Sequence, residues 1–355
     1  MHIAFLDSWL QSAAEGSGTA VGIGGLAQAL LEDGHVVERI VPPPWRMPIT
    51  WRRLLFNATL SRRLQAATYD LVVGFDFDGV WWARRSTEPY ICSIKGVIAE
   101  ELQHEQGRNR LLFTLLARLE GANARQADRV ITTSEYCRQR IAQHYHVPVE
   151  RIGIVAEGID VQAWEQTLRG VPVRTDPDPT ILCVARQYPR KHIADLLYAF
   201  ASLRKYMPEV RLRLVGDGPE HDNLRALAAR LNLGSAVTFL GSIPDADVKR
   251  EYAHCDVFCL PSIQEGFGIV FLEAMVAGKP VVATTAAAIP EVVQHGRTGI
   301  LVPPGDPQSL AGALLLLLSD VDRRMQYGQA GQDAVLRYDW SRIVETFLRE
   351  VEHVQ

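Results

Sequence analysis

The chain has 355 residues, 47% of them hydrophobic and 22% charged, and carries a formal net charge of −4. That length suits roughly two domains, each able to bury a core, and the slightly acidic balance gives no reason to expect a nucleic-acid partner. The opening MHIAFLDSWLQSAAEGSG has neither a basic start nor a sustained apolar stretch, so it does not read as a signal peptide. The longest aliphatic run, Leu314–Leu318, is too short to span a bilayer. Cys92, Cys137, Cys183, Cys255 and Cys259 are odd in number and scattered, which reads as a reduced cytoplasmic protein rather than a disulfide framework or a zinc site.

Two halves repeat one grammar: a short apolar strand, a glycine-containing turn, an amphipathic helix. The first half opens with the strand HIAFLD, a loop EGSGTAVGIGG, a helix LAQALLEDG closed by Gly34, and a strand VVERIV. It continues through DLVVGFD (70–76), YICSIKG (90–96), a helix around 109–127, DRVITTS (128–134) and RIGIVAEG (151–158). A polar, proline-rich stretch, RGVPVRTDPDPT (169–180), reads as the linker. The second half runs through ILCVAR (181–186), a helix near 193–206, VRLRLVGDG (210–218) and a helix near 220–231. Strand AVTFLG (236–241), helix 245–254, DVFCLPS (256–262) and KPVVAT (279–284) follow, and YDWSRIVETFLREVEHV forms a final amphipathic helix. This alternation predicts an α/β protein of two Rossmann-like, doubly wound parallel domains facing across a cleft, with domain closure about the linker.

Two stretches carry candidate chemistry. In EGFGIVFLE, Glu265 precedes a helix and Glu273 lies about one and a half turns into it, so the two stand at different depths rather than facing each other as an acid/base pair. Gly266 and Gly268 around Phe267 permit a close-approach turn. The first amides of the helix (Gly268, Ile269, Val270) and its positive end suit a diphosphate. In ARQYPRKH, Arg186 and Lys191 flank Pro189 on a loop from strand end to helix start, where an arginine can grip a diphosphate bidentately and a lysine as a point charge. Arg190 is the weaker candidate. Read alone, EGFGIVFLE also fits a Glu265 that merely offsets the helix dipole with Glu273 solvated, and ARQYPRKH a solvated basic surface loop.

Together with LVGDGPE, FLGSIPDADV, PSIQEGFGIVFLEAMVAGKPVVAT and GRTGILVPPGDP, in this order and spacing, the chain resembles the retaining GT-B glycosyltransferases of family 4 along almost its whole length. SEYCRQRI and VAEGID in the first half add to the likeness. The resemblance implies an acceptor-binding domain over 1–170, a donor-nucleotide domain over 171–336 and a terminal helix, 337–355, packing back on the first domain. It implies that Glu265 contacts the donor sugar near the reacting carbon, that Glu273 holds the nucleotide ribose, and that Arg186 and Lys191 bind the diphosphate and stabilise the leaving group. The segment Ser242, Ile243, Pro244 matches the one against which the base lies. Gly16, Ser17 and Gly18 match the glycine-rich first loop near acceptor and phosphates, and Gly216 and Gly218 a turn more structural than catalytic. The implied reaction is front-face transfer from a UDP- or GDP-sugar to a saccharide or lipid-linked hydroxyl, with no cofactor and no metal. Asp76-Phe77-Asp78 could mimic a metal motif of another transferase class but follows a strand in the wrong half.

The pattern has departures. Lys95 stands where many members of that family place a histidine, and is a catalytic candidate set against a plain exposed strand-end lysine. Ala156 and Glu157 replace a common Pro-Asn pair, and Glu157 reads as a strand-end acid or a ligand of an acceptor hydroxyl. His104 reads as a surface residue on a helix. Trp45, Arg46, Trp51, Arg52, Arg53, Leu54, Leu55 and Phe56, with Arg62, Arg63 and Trp81–Arg85, read either as a peripheral membrane-contacting face for a lipid-linked acceptor or as an ordinary amphipathic helix. Alternatives to transfer are a sugar-nucleotide epimerase of the same fold and a non-catalytic nucleotide-sugar binder. A dinucleotide oxidoreductase is disfavoured, because GSGTAVGIGG begins several residues beyond the first strand. The sequence leaves the oligomeric state open.

Overall fold

The computed structural model describes residues 1–9, 18–43, 47–64, 67–104, 107–175 and 178–354. Gly16, Ser17, Trp45 and Arg46 lie outside the described residues. Two units emerge, one of residues 1–158 with 340–355, the other of residues 159–339.

The first unit runs β1 (His2–Leu6), α1 (Gly18–Glu32), β2 (Val36–Ile40), α2 (Ile49–Leu64), β3 (Leu71–Phe75), β4 (Tyr90–Ile94), α3 (Ile98–Glu101), α4 (Gly107–Gln126), β5 (Arg129–Thr132), α5 (Glu135–Tyr145) and β6 (Ile152–Ile154). Its six strands form a parallel sheet in the order β2-β1-β3-β4-β5-β6. The inner strands are buried and largely apolar, such as Leu71–Phe75, because helices cover both faces of such a sheet, whereas the edge strand β2 (VVERI) is partly exposed. The stretch EGSGTAVGIGG is not a loop throughout: from Gly18 onward it forms the first two turns of α1. Its glycines serve close packing. A Cβ on Gly22 would stand 2.1 Å from a Glu157 oxygen, and one on Gly25 2.1 Å from the Trp340 ring.

The second unit runs α6 (Val161–Arg169), β7 (Thr180–Val184), α7 (Ile193–Leu203), β8 (Arg211–Val215), α8 (His221–Arg230), β9 (Val237–Gly241), α9 (Asp245–His254), β10 (Val257–Leu260), α10 (Ile269–Val276), β11 (Val281–Thr284), α11 (Ile289–Val292), β12 (Gly299–Val302), α12 (Pro307–Ser319) and α13 (Val321–Val335). Its parallel sheet has the order β12-β11-β10-β7-β8-β9. The chain passes from the first unit to the second at Gly158–Ile159 rather than in the stretch 169–180. Trp164 of α6 meets Tyr252 of α9 edge-on, with ring centroids 5.6 Å apart, and this burial ties α6 to the second unit. The last helix, α14 (Trp340–Val351), belongs to the first unit. Trp340 packs on Gly25 and Gly158, and Arg129 donates Nε to Glu350 at 2.7 Å. All five cysteines are free and buried.

Candidate functional site

In a doubly wound sheet, ligands bind beyond the carboxyl ends of the strands where the strand order reverses. In the second unit that point lies between β7 and β10, and the loops leaving these neighbours are the ones that carry ARQYPRKH and PSIQEG. The Ile263 amide donates to the Arg190 carbonyl at 3.0 Å, which fastens one loop to the other. The Lys191 ammonium lies 2.5 Å from Glu265 Oε1, and Ser262 donates its hydroxyl to the same oxygen at 2.7 Å. Thr284, closing β11, donates to the Ser262 carbonyl and fixes that serine's backbone. Burial alone would raise the Glu265 carboxyl, but Lys191, Arg190 and the Ser262 hydrogen bond more than offset it and hold the group below the ordinary glutamate range. Glu265 is therefore ionised and rigidly aimed.

Gly268 carries the turn into α10 at φ +93°, a left-handed conformation strained for any residue with a Cβ; here a Cβ would also come 2.6 Å from the Phe271 ring. The first amides of α10 have no intrahelical acceptor, as in any helix, and its positive end lies beside Glu265. Phe267 is buried edge-on against Tyr338 at 5.4 Å, so the glycine turn has an apolar anchor. One and a half turns on, half-buried Glu273 accepts the Tyr252 hydroxyl at 2.7 Å. Burial pushes the Glu273 carboxyl up to about 7, with the Tyr252 hydrogen bond opposing, Asp245 adding to the rise and Lys249 opposing it. The two glutamates thus have different partners and opposite pKa displacements.

Arg186 follows β7 directly, and its buried Nε has no hydrogen-bond partner; the buried Gln264 Oε1, next to Glu265, is likewise unsatisfied. Gln187, which the sequence reading passed over, holds this loop in place. Only 1% exposed, it donates Nε2 to the Gly216 carbonyl at 2.8 Å, pairs Oε1 with His221 Nδ1 at 2.9 Å, and exchanges backbone hydrogen bonds with Asp217 and Glu220. Gly216 and Gly218 allow this contact: a Cβ would stand 2.1 Å from the Ala185 carbonyl oxygen at the first and 2.8 Å from Gln187 backbone at the second. Ile243 sits half-buried on the loop between β9 and α9.

The first unit has its own reversal point, between β1 and β3. There Asp78 accepts the Ser8 amide at 2.9 Å and the Asn57 side chain at 2.8 Å, and Ser8 also donates its hydroxyl. Asp76, left-handed at φ +57°, accepts Trp9 Nε1 at 2.8 Å. Arg53 of α2 lies over the Trp9 and Phe77 rings and within 3.4 Å and 3.8 Å of the two carboxylates. The Asp76-Phe77-Asp78 string is thereby engaged by protein groups. Burial nonetheless raises both carboxyls, Asp78 to about 6, despite Arg53 and the hydrogen bonds. Among the described residues no group of three His, Cys, Asp or Glu is arranged to hold a metal ion.

Lys95 is not an exposed strand-end residue. Its ammonium lies 3.0 Å from Glu157 Oε1, with both side chains under a tenth exposed, because β4 and β6 end near α1 and Gly22 lets the carboxylate approach. Glu157 Oε2 is buried without a partner. Phe56 and Trp82 are buried, as an ordinary amphipathic helix with aromatics in the core would have them, and Arg53 is buried with them, whereas Trp51 and Leu55 are exposed. Gly18 opens α1 and is exposed.

Two family models match the chain: residues 17–163 match Glycosyltransferase Family 4 and residues 165–334 match Glycosyl transferases group 1. The chain is 31% identical over 286 residues to the GDP-mannose-dependent alpha-(1-6)-phosphatidylinositol monomannoside mannosyltransferase of Mycobacterium tuberculosis, covering 75% of this chain and 73% of that protein. Among solved structures it superposes on sucrose-phosphate synthase of Thermosynechococcus elongatus with a TM-score of 0.81 at 21% identity, covering 98% and 97% of the two chains. It superposes on Anabaena HepE, solved in complex with UDP, with a TM-score of 0.75 at 24% identity, covering 99% and 100%. Fold and sequence together define a GT-B glycosyltransferase. The chain belongs to the group 1 glycosyltransferases of family 4.

Proposed function

We propose that the enzyme moves a sugar from a UDP- or GDP-sugar to a hydroxyl of a lipid-linked or saccharide acceptor in glycolipid or polysaccharide synthesis, retaining the anomeric configuration and using no metal. The observation that carries this reading is the Lys191–Glu265–Ser262 cluster at the strand-order reversal, beside the start of α10 and the unsatisfied Arg186 Nε. Breaking the bond from anomeric carbon to phosphate oxygen leaves positive charge on the sugar and negative charge on the diphosphate. Arg186, Lys191, the α10 amides and the turn Gly266-Phe267-Gly268-Ile269-Val270 take the diphosphate, supplying the charge a divalent ion would otherwise bring. Ionised Glu265 stands beside the sugar, Glu273 accepts from the ribose hydroxyls, and the Ile243 segment lies along the base. The departing oxygen takes the proton of the incoming hydroxyl on the same face as the new carbon–oxygen bond forms. Within the first unit, Lys95, paired with Glu157, is the residue we assign to the acceptor.

The choice of donor and acceptor class leans on the relatives: the mycobacterial mannosyltransferase is named as GDP-mannose-dependent and as acting on a phosphatidylinositol mannoside, and HepE has been solved with UDP-glucose. A specific surface favours a lipid-linked acceptor. Trp51 and Leu55 on α2 and Leu111 and Leu115 on α4 are exposed, one helical turn apart in each pair, on two helices that share the core around Phe77 and Leu116. No helix among the described residues is long and apolar enough to cross a membrane; the exposed pairs on these two helices are the surface we assign to peripheral contact with a membrane. Incubating the protein with UDP- and GDP-sugars and lipid extracts, with EDTA present, tests the reading. A glycosylated lipid with the donor's anomeric configuration supports it; an altered donor sugar would mean epimerisation, and binding without turnover a non-catalytic receptor.

A further inference from the structure

Glu273 is one of two residues in the hydrogen bond that fixes its orientation, and the other, Tyr252, comes from a different helix. Tyr252 is fully buried, stacked on Phe258 with centroids 5.5 Å apart and interplanar angle 27°, and met edge-on by Trp164 at 5.6 Å. Its hydroxyl stands 3.3 Å from the Val270 carbonyl and 2.7 Å from Glu273 Oε2, and the shorter contact, to the carboxylate, is the stronger of the two. A carboxylate has two oxygens; with one committed, the rotamer is set and Oε1 is the oxygen left to accept from a ligand.

We propose that Tyr252 is a positioning residue for the nucleotide ribose, acting through Glu273, and that it sets the enzyme's preference for ribose over deoxyribose nucleotides. The inference rests on the reading of Glu273 as the ribose ligand. The hydrogen bond has a second effect. Donation to the ionised form opposes the burial that raises the Glu273 carboxyl, as Lys249 does and Asp245 does not, so Tyr252 keeps a larger fraction of Glu273 able to accept from hydroxyls near neutral pH.

The test is a calorimetric comparison of UDP and GDP with their dideoxy counterparts, using wild type, Tyr252→Phe and Glu273→Ala. Wild type should bind the ribose form of its preferred diphosphate more tightly by roughly tenfold or more, the scale of hydrogen bonds to a charged group. Glu273→Ala should erase that ratio. Tyr252→Phe should cut it several-fold while leaving the dideoxy affinity nearly unchanged, and should move the acid limb of the ribose preference to higher pH. A merely structural tyrosine would weaken both forms equally; that result, or an unchanged ratio, overturns the role of Tyr252. If Glu273→Ala leaves the ratio intact, or wild type binds neither diphosphate, the donor reading beneath the inference falls instead.

Discussion

The two units reverse their strand order in the same way and use the reversal differently. In the first, between β1 and β3, polar groups satisfy one another: Ser8, Trp9, Asn57 and Arg53 converge on Asp76 and Asp78. In the second, between β7 and β10, the cluster is incomplete, with Arg186 Nε and Gln264 Oε1 buried without partners beside a glycine turn and a helix start. Topology offers a crevice at both places. At the reversal of the first unit the two carboxylates are already engaged by protein groups, whereas at that of the second two buried polar atoms are left for a ligand to complete.

That contrast can be broken by substitution. The largest effect is expected from Glu265→Ala, which should lower turnover by roughly a hundredfold or more while nucleotide-diphosphate affinity changes only a few-fold, read from kcat and from calorimetry. Arg53→Leu should do the opposite. Removing the cation from two buried carboxylates should destabilise the first unit by about 3 kcal/mol, seen in denaturant unfolding, with nucleotide affinity of the second unit preserved. Gln187→Leu should cost about 1–3 kcal/mol, because the Gly216 carbonyl and the His221 ring lose their partner, and should also weaken diphosphate binding as the Arg186 loop loosens.

The smallest effect is one of pH. Glu273 is raised from about 4.5 to about 7 in the folded protein, so its contribution to stability is fully present below the unfolded value and is lost as the pH rises through about 7. The ligand-free melting temperature should therefore fall across this window, and Glu273→Gln should flatten that part of the profile. On the proposed role of Glu273 as acceptor from the ribose, nucleotide binding should strengthen over the same window.

Local signals made the strands and the two loops of the second unit readable: β7 and β10 are apolar runs ending in ARQYPRKH and PSIQEG, and only their adjacency had to be supplied by the parallel topology. Tertiary packing governs what was not readable. Gly22 and Gly25 look like loop residues by composition, yet they lie within α1 because Glu157 and Trp340 need the space of a missing side chain. Arg53 looks like a surface cation on an amphipathic helix, and is buried because two aspartates from another strand end await it. Lys95 and Glu157 are far apart in sequence and meet through the ends of β4 and β6. Gln187 and Ser262 lie inside ARQYPRKH and PSIQEG without standing out there, and Tyr252 lies in no such stretch; each matters through the residue it holds.

The most direct measurement of the central claim is the affinity of UDP and GDP for wild type and for the double variant Arg186→Ala with Lys191→Ala. The account predicts a loss of roughly a hundredfold or more, the worth of two charge-assisted contacts to a diphosphate, in a protein that still unfolds cooperatively. Unchanged affinity in the folded double variant would contradict it.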